Sequence, residues 1–128
     1  QSPHSYDMLQ FGKVAFGPPS GNQDEEYIEL INRGENAIDL SGWQLAEGVR
    51  FVFPPGTVIG AGPEGASKIL ISPNLKVFFA NDVAGADNKK SFVIGNYRGH
   101  LSKRGETVRL VDNGGREILN FHYGEKPE

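Results

Sequence analysis

The chain contains no cysteine in its 128 residues. That excludes a disulfide framework and a thiolate metal site. No run approaches the ~18 apolar residues of a membrane-spanning helix. No stretch carries helical periodicity over the ten or more residues that a substantial amphipathic helix needs. No unit repeats at a solenoid or propeller period. The first residues, Gln1-Ser-Pro-His-Ser-Tyr-Asp, lack a basic segment followed by an apolar one and do not read as a signal peptide. Tryptophan and methionine occur once each.

Glycine is abundant at 17 and proline numbers 8, scattered rather than periodic. That pattern predicts many turns, not a collagen or a linker. The length suits one domain, with residues 1–9 expected as a flexible tail and 10–124 as the folded body. Net charge is −3. It is uneven: residues 1–88 carry 5 Lys/Arg against 11 Asp/Glu, and residues 89–128 carry 8 against 5. Such asymmetry steers charged partners, or else describes faces whose charges the fold neutralises.

Short alternating segments recur. Gln10 to Phe16, Glu26 to Asn32, Ala37 to Leu40, Trp43 to Ala46, Val49 to Phe53 and Thr57 to Ile59 read as strands between Gly, Pro and Asn turns. Lys68 to Ser72 is a dense β-branched run, expected to be buried on both faces. Pro73 to Asn81 predicts one turn of helix. Thr107 to Val111 and Glu117 to Tyr123, joined by Asp112-Asn-Gly-Gly, form the strongest hairpin signal. Seven to nine short strands predict an all-β antiparallel sandwich. Its core is expected from Val14, Ile28, Leu30, Leu40, Trp43, Leu45, Phe51, Phe53, Ile69, Ile71, Val108, Leu110 and Phe121.

The order of motifs resembles the lamin tail domain family of immunoglobulin-like sandwiches. Tyr27-Ile-Glu-Leu-Ile-Asn is followed by Leu40-Ser-Gly-Trp-Gln-Leu and Phe51-Val-Phe-Pro-Pro-Gly-Thr-Val-Ile. Leu70-Ile-Ser, Gly105-Glu-Thr-Val-Arg-Leu-Val-Asp and Asn120-Phe-His-Tyr-Gly come next. Physics gives reasons for several of these. Trp43 follows a Ser-Gly turn that lets its ring enter the space between two sheets. Pro54 and Pro55 lack ladder donors and end pairing, and Gly56 removes a side chain at that corner. A heptad rod, a basic nuclear signal and a prenylation box are missing, so nuclear filament function does not carry over. The resemblance is to prokaryotic members. It implies a non-catalytic interaction or tethering module within a larger exported protein, whose partner is another protein or a neighbouring domain.

Catalytic constellations are weak. His4, His100 and His122 show no metal-ligand spacing, so neither a metal site nor a cofactor is expected. No nucleophile elbow or Walker loop occurs. The chain is therefore read as no enzyme. Asp24-Glu25-Glu26 with Glu29, and Asp82 to Asp87, are carboxylate clusters without a calcium-loop pattern, and read as solvated loops. Glu29, inside an apolar strand, is expected to form a structural ion pair with Arg109. The binding candidates are Lys89, Lys90, Arg98, His100, Lys103 and Arg104, with Phe92 and Tyr97 interleaved. Basic and aromatic side chains together suit a polyanion or an anionic carbohydrate. The competing reading is a loop of solvated charge.

Overall fold

The alternation of Ile28 and Leu30 with Tyr27, Glu29 and Ile31 gives a strand that is apolar on both faces, and the fold is built around it. In the computed structural model, which describes residues 8–15, 23–61, 67–80, 92–102 and 104–124, this strand is β2 (Tyr27–Asn32). It lies between β1 (Leu9–Ala15) and β7 (Ser67–Ser72), and β8 (Phe92–Gly95) completes a four-stranded sheet ordered β1-β2-β7-β8. A second four-stranded sheet is ordered β10-β9-β4-β5, from β4 (Gln44–Glu47), β5 (Phe51–Val52), β9 (Gly105–Val111) and β10 (Glu117–Gly124). A two-stranded ribbon joins β3 (Ile38–Asp39) to β6 (Val58–Ile59). The chain is an immunoglobulin-like all-β sandwich.

Two details depart from the sequence reading. Ten strands occur among the described residues, because two-residue pairings such as β3 and β6 count as strands. The first sheet is mixed: β7 and β8 run parallel, with Ile71 opposite Ile94. The connection between them contains the only α-helix among the described residues, α1 (Leu75–Ala80), at the place where Pro73 to Asn81 predicts a helical turn.

The main core lies between the two large sheets. Ile28, Leu30, Ile69 and Ile71 from one side meet Leu45, Val108 and Leu110 from the other, and Trp43 joins them at 4 % exposure. Phe51 and Phe121 are half-buried against it, and Leu9, Val49, Tyr97, Leu101 and Tyr123 complete it. A second cluster of Tyr27, Leu70 and Phe78 fills the opposite face of the first sheet, beneath α1. That explains why β7 is apolar on both sides.

β1 carries a bulge between Phe11 and Val14. Glu29 occupies it: its Oε1 accepts the Lys13 N–H at 2.9 Å and would lie 2.2 Å from a Cβ at Gly12. Lys68 Nζ is 3.8 Å from the same carboxylate. The expected Glu29–Arg109 pair does not form. Glu29 is on the outer face of the first sheet, opposite Leu70, and Arg109 is on the outer face of the second, opposite Ala46. The whole core separates them.

The β9–β10 hairpin closes as a three-residue loop. Gly115 N–H donates to the Asp112 carbonyl, Asp112 N–H donates to the Arg116 carbonyl, and Gly115 takes φ 87°. Glycine at this position accepts the positive φ that the geometry demands.

Candidate functional site

The segment between β8 and β9 carries most of the basic candidates, and one buried acid holds it in place. Glu26 follows a 3₁₀ turn (Gln23–Glu25) and is wholly buried. Its Oε2 accepts the Tyr97 O–H at 2.5 Å and the Leu101 N–H at 2.8 Å. Its Oε1 has no hydrogen-bond partner among the described residues. Burial raises the Glu26 pKa above its ordinary value, while the two hydrogen bonds pull it down. Burial, with the charge of Glu26 beside it, pushes the Tyr97 phenol up as well. Further ties fix the segment. Gln23 Nε2 donates to the Leu101 carbonyl, Tyr123 O–H donates to the Ser102 carbonyl at 2.5 Å, and Ser102 N–H donates to Glu106 Oε1 at 2.6 Å. The reading of Asp24-Glu25-Glu26 as solvated is thus corrected at Glu26, which is an interior anchor.

The anchored segment presents its arginines outward. Arg98 pairs with Arg50 in an antiparallel bridge: Arg50 N–H donates to the Arg98 carbonyl at 3.0 Å and Arg98 N–H to the Arg50 carbonyl at 2.8 Å. Both residues are exposed. Residues directly opposite in such a pair project to the same side. Neither makes an ion pair among the described residues. Beside Arg50 an open depression of about 490 Å³ is lined by Ala46, Glu47, Phe51 and Val52 among others. Glu47 stands at its rim with φ 76° and pairs with Arg109 at 3.3 Å, and Arg109 Nε also donates to Glu117 at 2.7 Å. Those two hydrogen bonds raise the Arg109 pKa further.

The remaining candidates fall out differently. Arg104 is exposed and has no ion pair among the described residues. His100 is exposed, but its Nε2 lies 2.9 Å from Asp24 Oδ1, so an acidic side chain of the first part already covers it. Lys89, Lys90 and Lys103 lie outside the described residues, as do His4 and the Asp82 to Asp87 cluster. His122 sits on β10 with Nδ1 2.8 Å from Thr107 Oγ1. Among the described residues no three His, Asp or Glu side chains converge as metal ligands. Arg50 was missed in the sequence, because its partner is 48 positions away and only the bridge brings the two together.

Trp43, Pro54, Pro55 and Gly56 build a corner rather than a surface. Trp43 N–H donates to the Leu40 carbonyl and Phe53 N–H to the Trp43 carbonyl, so the Ser-Gly turn drops the indole into the core. Ser41 Oγ donates to Asp39 Oδ1 at 2.6 Å and accepts the Gly56 N–H at 2.8 Å, tying the two turns together. Pairing in β5 stops before Pro54, whose carbonyl accepts both the Thr57 N–H and the Thr57 hydroxyl. The chain then leaves the second sheet for β6. Gly56 serves by conformation and not by room: it takes φ 85°, and among the described residues nothing but its chain neighbours lies within 4 Å of where its Cβ would stand.

The Lamin Tail Domain model matches residues 2–125, a span that takes in this corner, the Trp between the sheets and the closing hairpin. The chain belongs to the Lamin Tail Domain family. No curated protein matches it. The Lamin Tail Domain is a non-enzymatic, immunoglobulin-like domain of the interaction type. No helix among the described residues is long and apolar enough to cross a membrane.

Proposed function

We propose that this Lamin Tail Domain is a tethering module of a longer, exported protein, docking a protein partner or a neighbouring domain. The observation that supports this reading is where its carboxylates point. Glu26, Glu29, Asp39, Glu106 and Asp112 each accept backbone N–H bonds and fix a loop, a bulge or a turn. Acids committed to backbone donors are held as acceptors and are poorly placed for proton transfer. What the domain offers outward is sheet edge and arginine. Among the described residues β10, eight residues long, pairs only with β9, and its other edge is a place where a strand could add. The resemblance to prokaryotic members is what supports export.

A photo-crosslinking residue at Asn120, exposed on β10, tests the tether. In cells carrying the full-length protein it should yield one discrete adduct, and deleting residues 10–124 should disperse that protein from its normal site. Unchanged location after deletion would remove the tethering role. Protease added to intact cells should cut an exported protein, and full protection would overturn the location.

A second reading takes the basic segment as a weak polyanion or carbohydrate site. Exposed Arg98 and Arg104, without ion pairs among the described residues, favour it. Duplex DNA is the simplest probe, since each phosphate contact contributes about −0.9 to the slope of log affinity against log salt. Replacing Lys103 and Arg104 with Ala should flatten that slope. An unchanged slope would sink this reading.

A further inference from the structure

The Arg50–Arg98 bridge holds together through backbone atoms alone. Any residue with an N–H would satisfy it. The sequence nevertheless places two like charges directly opposite each other, an arrangement that destabilises a β pair. Neither guanidinium is neutralised among the described residues. Acids of the adjoining elements are committed elsewhere: Glu47 to Arg109, Asp24 to His100 and Glu106 to the Ser102 N–H. Two exposed guanidinium groups on one side of the bridge, with no ion-pair partner among the described residues, can receive carboxylates, because the planar fork of each binds one bidentately.

The surroundings specify the ligand further. Val52 lies two residues beyond Arg50, on the same outward face, and is 60 % exposed. With Ala46 and Phe51 it supplies the apolar part of the adjoining depression. In an extended peptide, side chains at alternate positions share a face and stand about 6.6–6.8 Å apart. Opposite residues in a hydrogen-bonded antiparallel pair have Cα atoms about 5.5 Å apart. The two spacings are compatible. A long polyanion fits less well, since the domain carries a net charge of −3 and residues 1–88 hold 11 carboxylates.

We propose that Arg50 and Arg98 together dock an extended acidic peptide of a protein partner, with carboxylates at alternate positions and an apolar residue beside them over Val52. This inference rests on the interaction-module reading and names the chemistry of its partner.

The test uses the full chain and a fluorescein-labelled peptide, Gly-Ser-Glu-Ser-Glu-Ser-Leu-Gly, whose two Glu and Leu share one face when extended, followed by fluorescence polarisation. A second peptide carries Gln in place of both Glu. Wild type should bind the acidic peptide and not the Gln peptide. Exposed ion pairs are individually weak, so Arg50→Gln or Arg98→Gln should each weaken binding about threefold, and the two together about tenfold. Arg33→Gln, at an exposed turn elsewhere, should leave binding unchanged. Each site substitution should also raise Tm at low salt by about 1 °C, because it removes the like-charge opposition. A merely structural arginine would lower Tm when replaced. The inference falls if the peptides bind alike, if wild type binds neither at about 1 mM, or if Arg33→Gln is as harmful as the site variants. It also falls if a sulfated oligosaccharide or duplex DNA binds more tightly through Arg98. Crosslinking at Asn120 separates the two levels: an adduct without peptide binding removes this site and leaves the tethering module standing.

Discussion

Replacing Tyr97 with Phe should destabilise the domain by about 2–3 kcal/mol at pH 7 and by about 1 kcal/mol at pH 4. The Tyr97 ring is 4 % exposed within the main core, so Phe keeps its packing. What is lost is one O–H, donated at 2.5 Å to the wholly buried Glu26. Oε1 of that carboxylate has no partner among the described residues, so of these only the Leu101 N–H would remain to hold its charge. Hydrogen bonds to charged groups contribute about 1.5–3 kcal/mol, against about 1 for neutral ones.

The pH dependence follows from linkage. Burial lifts the folded pKa of Glu26 above its ordinary 4.5. The folded state therefore keeps the proton to a higher pH than the unfolded chain does. The stability this carboxyl contributes is fully present below about pH 4.5 and is lost as pH rises through the folded value. Removing the Tyr97 hydroxyl takes away one of the bonds that lower this pKa and widens the window. The variant should thus lose more stability than wild type between pH 4.5 and pH 7. Urea unfolding at both pH values, followed by the fluorescence of Trp43, measures the difference. In a Glu26→Gln background the cost of Tyr97→Phe should no longer depend on pH. A cost below about 0.5 kcal/mol at pH 7, or one equal at the two pH values, would refute the anchoring role of this contact.

Trp43→Ala should cost about 3–5 kcal/mol in chemical denaturation, because it empties a large volume at the centre of the core. Asn32, wholly buried, donates to the Asn36 and Gly60 carbonyls and accepts the Gly34 N–H, so Asn32→Ala should cost about 2–3 kcal/mol by leaving these groups unpaired. Gly56→Ala should cost about 1–2 kcal/mol through its left-handed φ alone, and a crystal structure of the variant should show no displaced neighbour.

Much of this domain can be read from local pattern. The turn and strand signals from Glu26 to Ile59 concern contacts a few positions apart, and they place β2 to β6 within a residue or two of where they lie. Asp112-Asn-Gly-Gly predicts its hairpin because the φ demand of a short loop is met by the residues of the loop itself. Two features resist the same approach. The bulge in β1 breaks strict alternation: Phe11 and Val14 both pack on the core, although period two assigns them to opposite faces. β8 pairs parallel to β7 across a crossover, and nothing in Phe92-Val-Ile-Gly marks its partner.

The site shows the same limit more sharply. Glu29 looks like the acid that needs a partner, because it sits inside an apolar strand. It is instead half-buried over Gly12, with Lys68 at its edge. The acid that is shut in is Glu26, which the sequence places at the lip of the strand among polar neighbours. Its burial comes from Tyr97 and Leu101, 71 and 75 positions away, and no window of sequence contains both sides of that contact. Arg50 and Arg98 are hidden for the same reason: each is an unremarkable surface residue until the fold sets one opposite the other. Residues that shape an element announce themselves locally. Those that hold a loop in place or make a site depend on which elements the sandwich brings together, and so they become visible only in three dimensions.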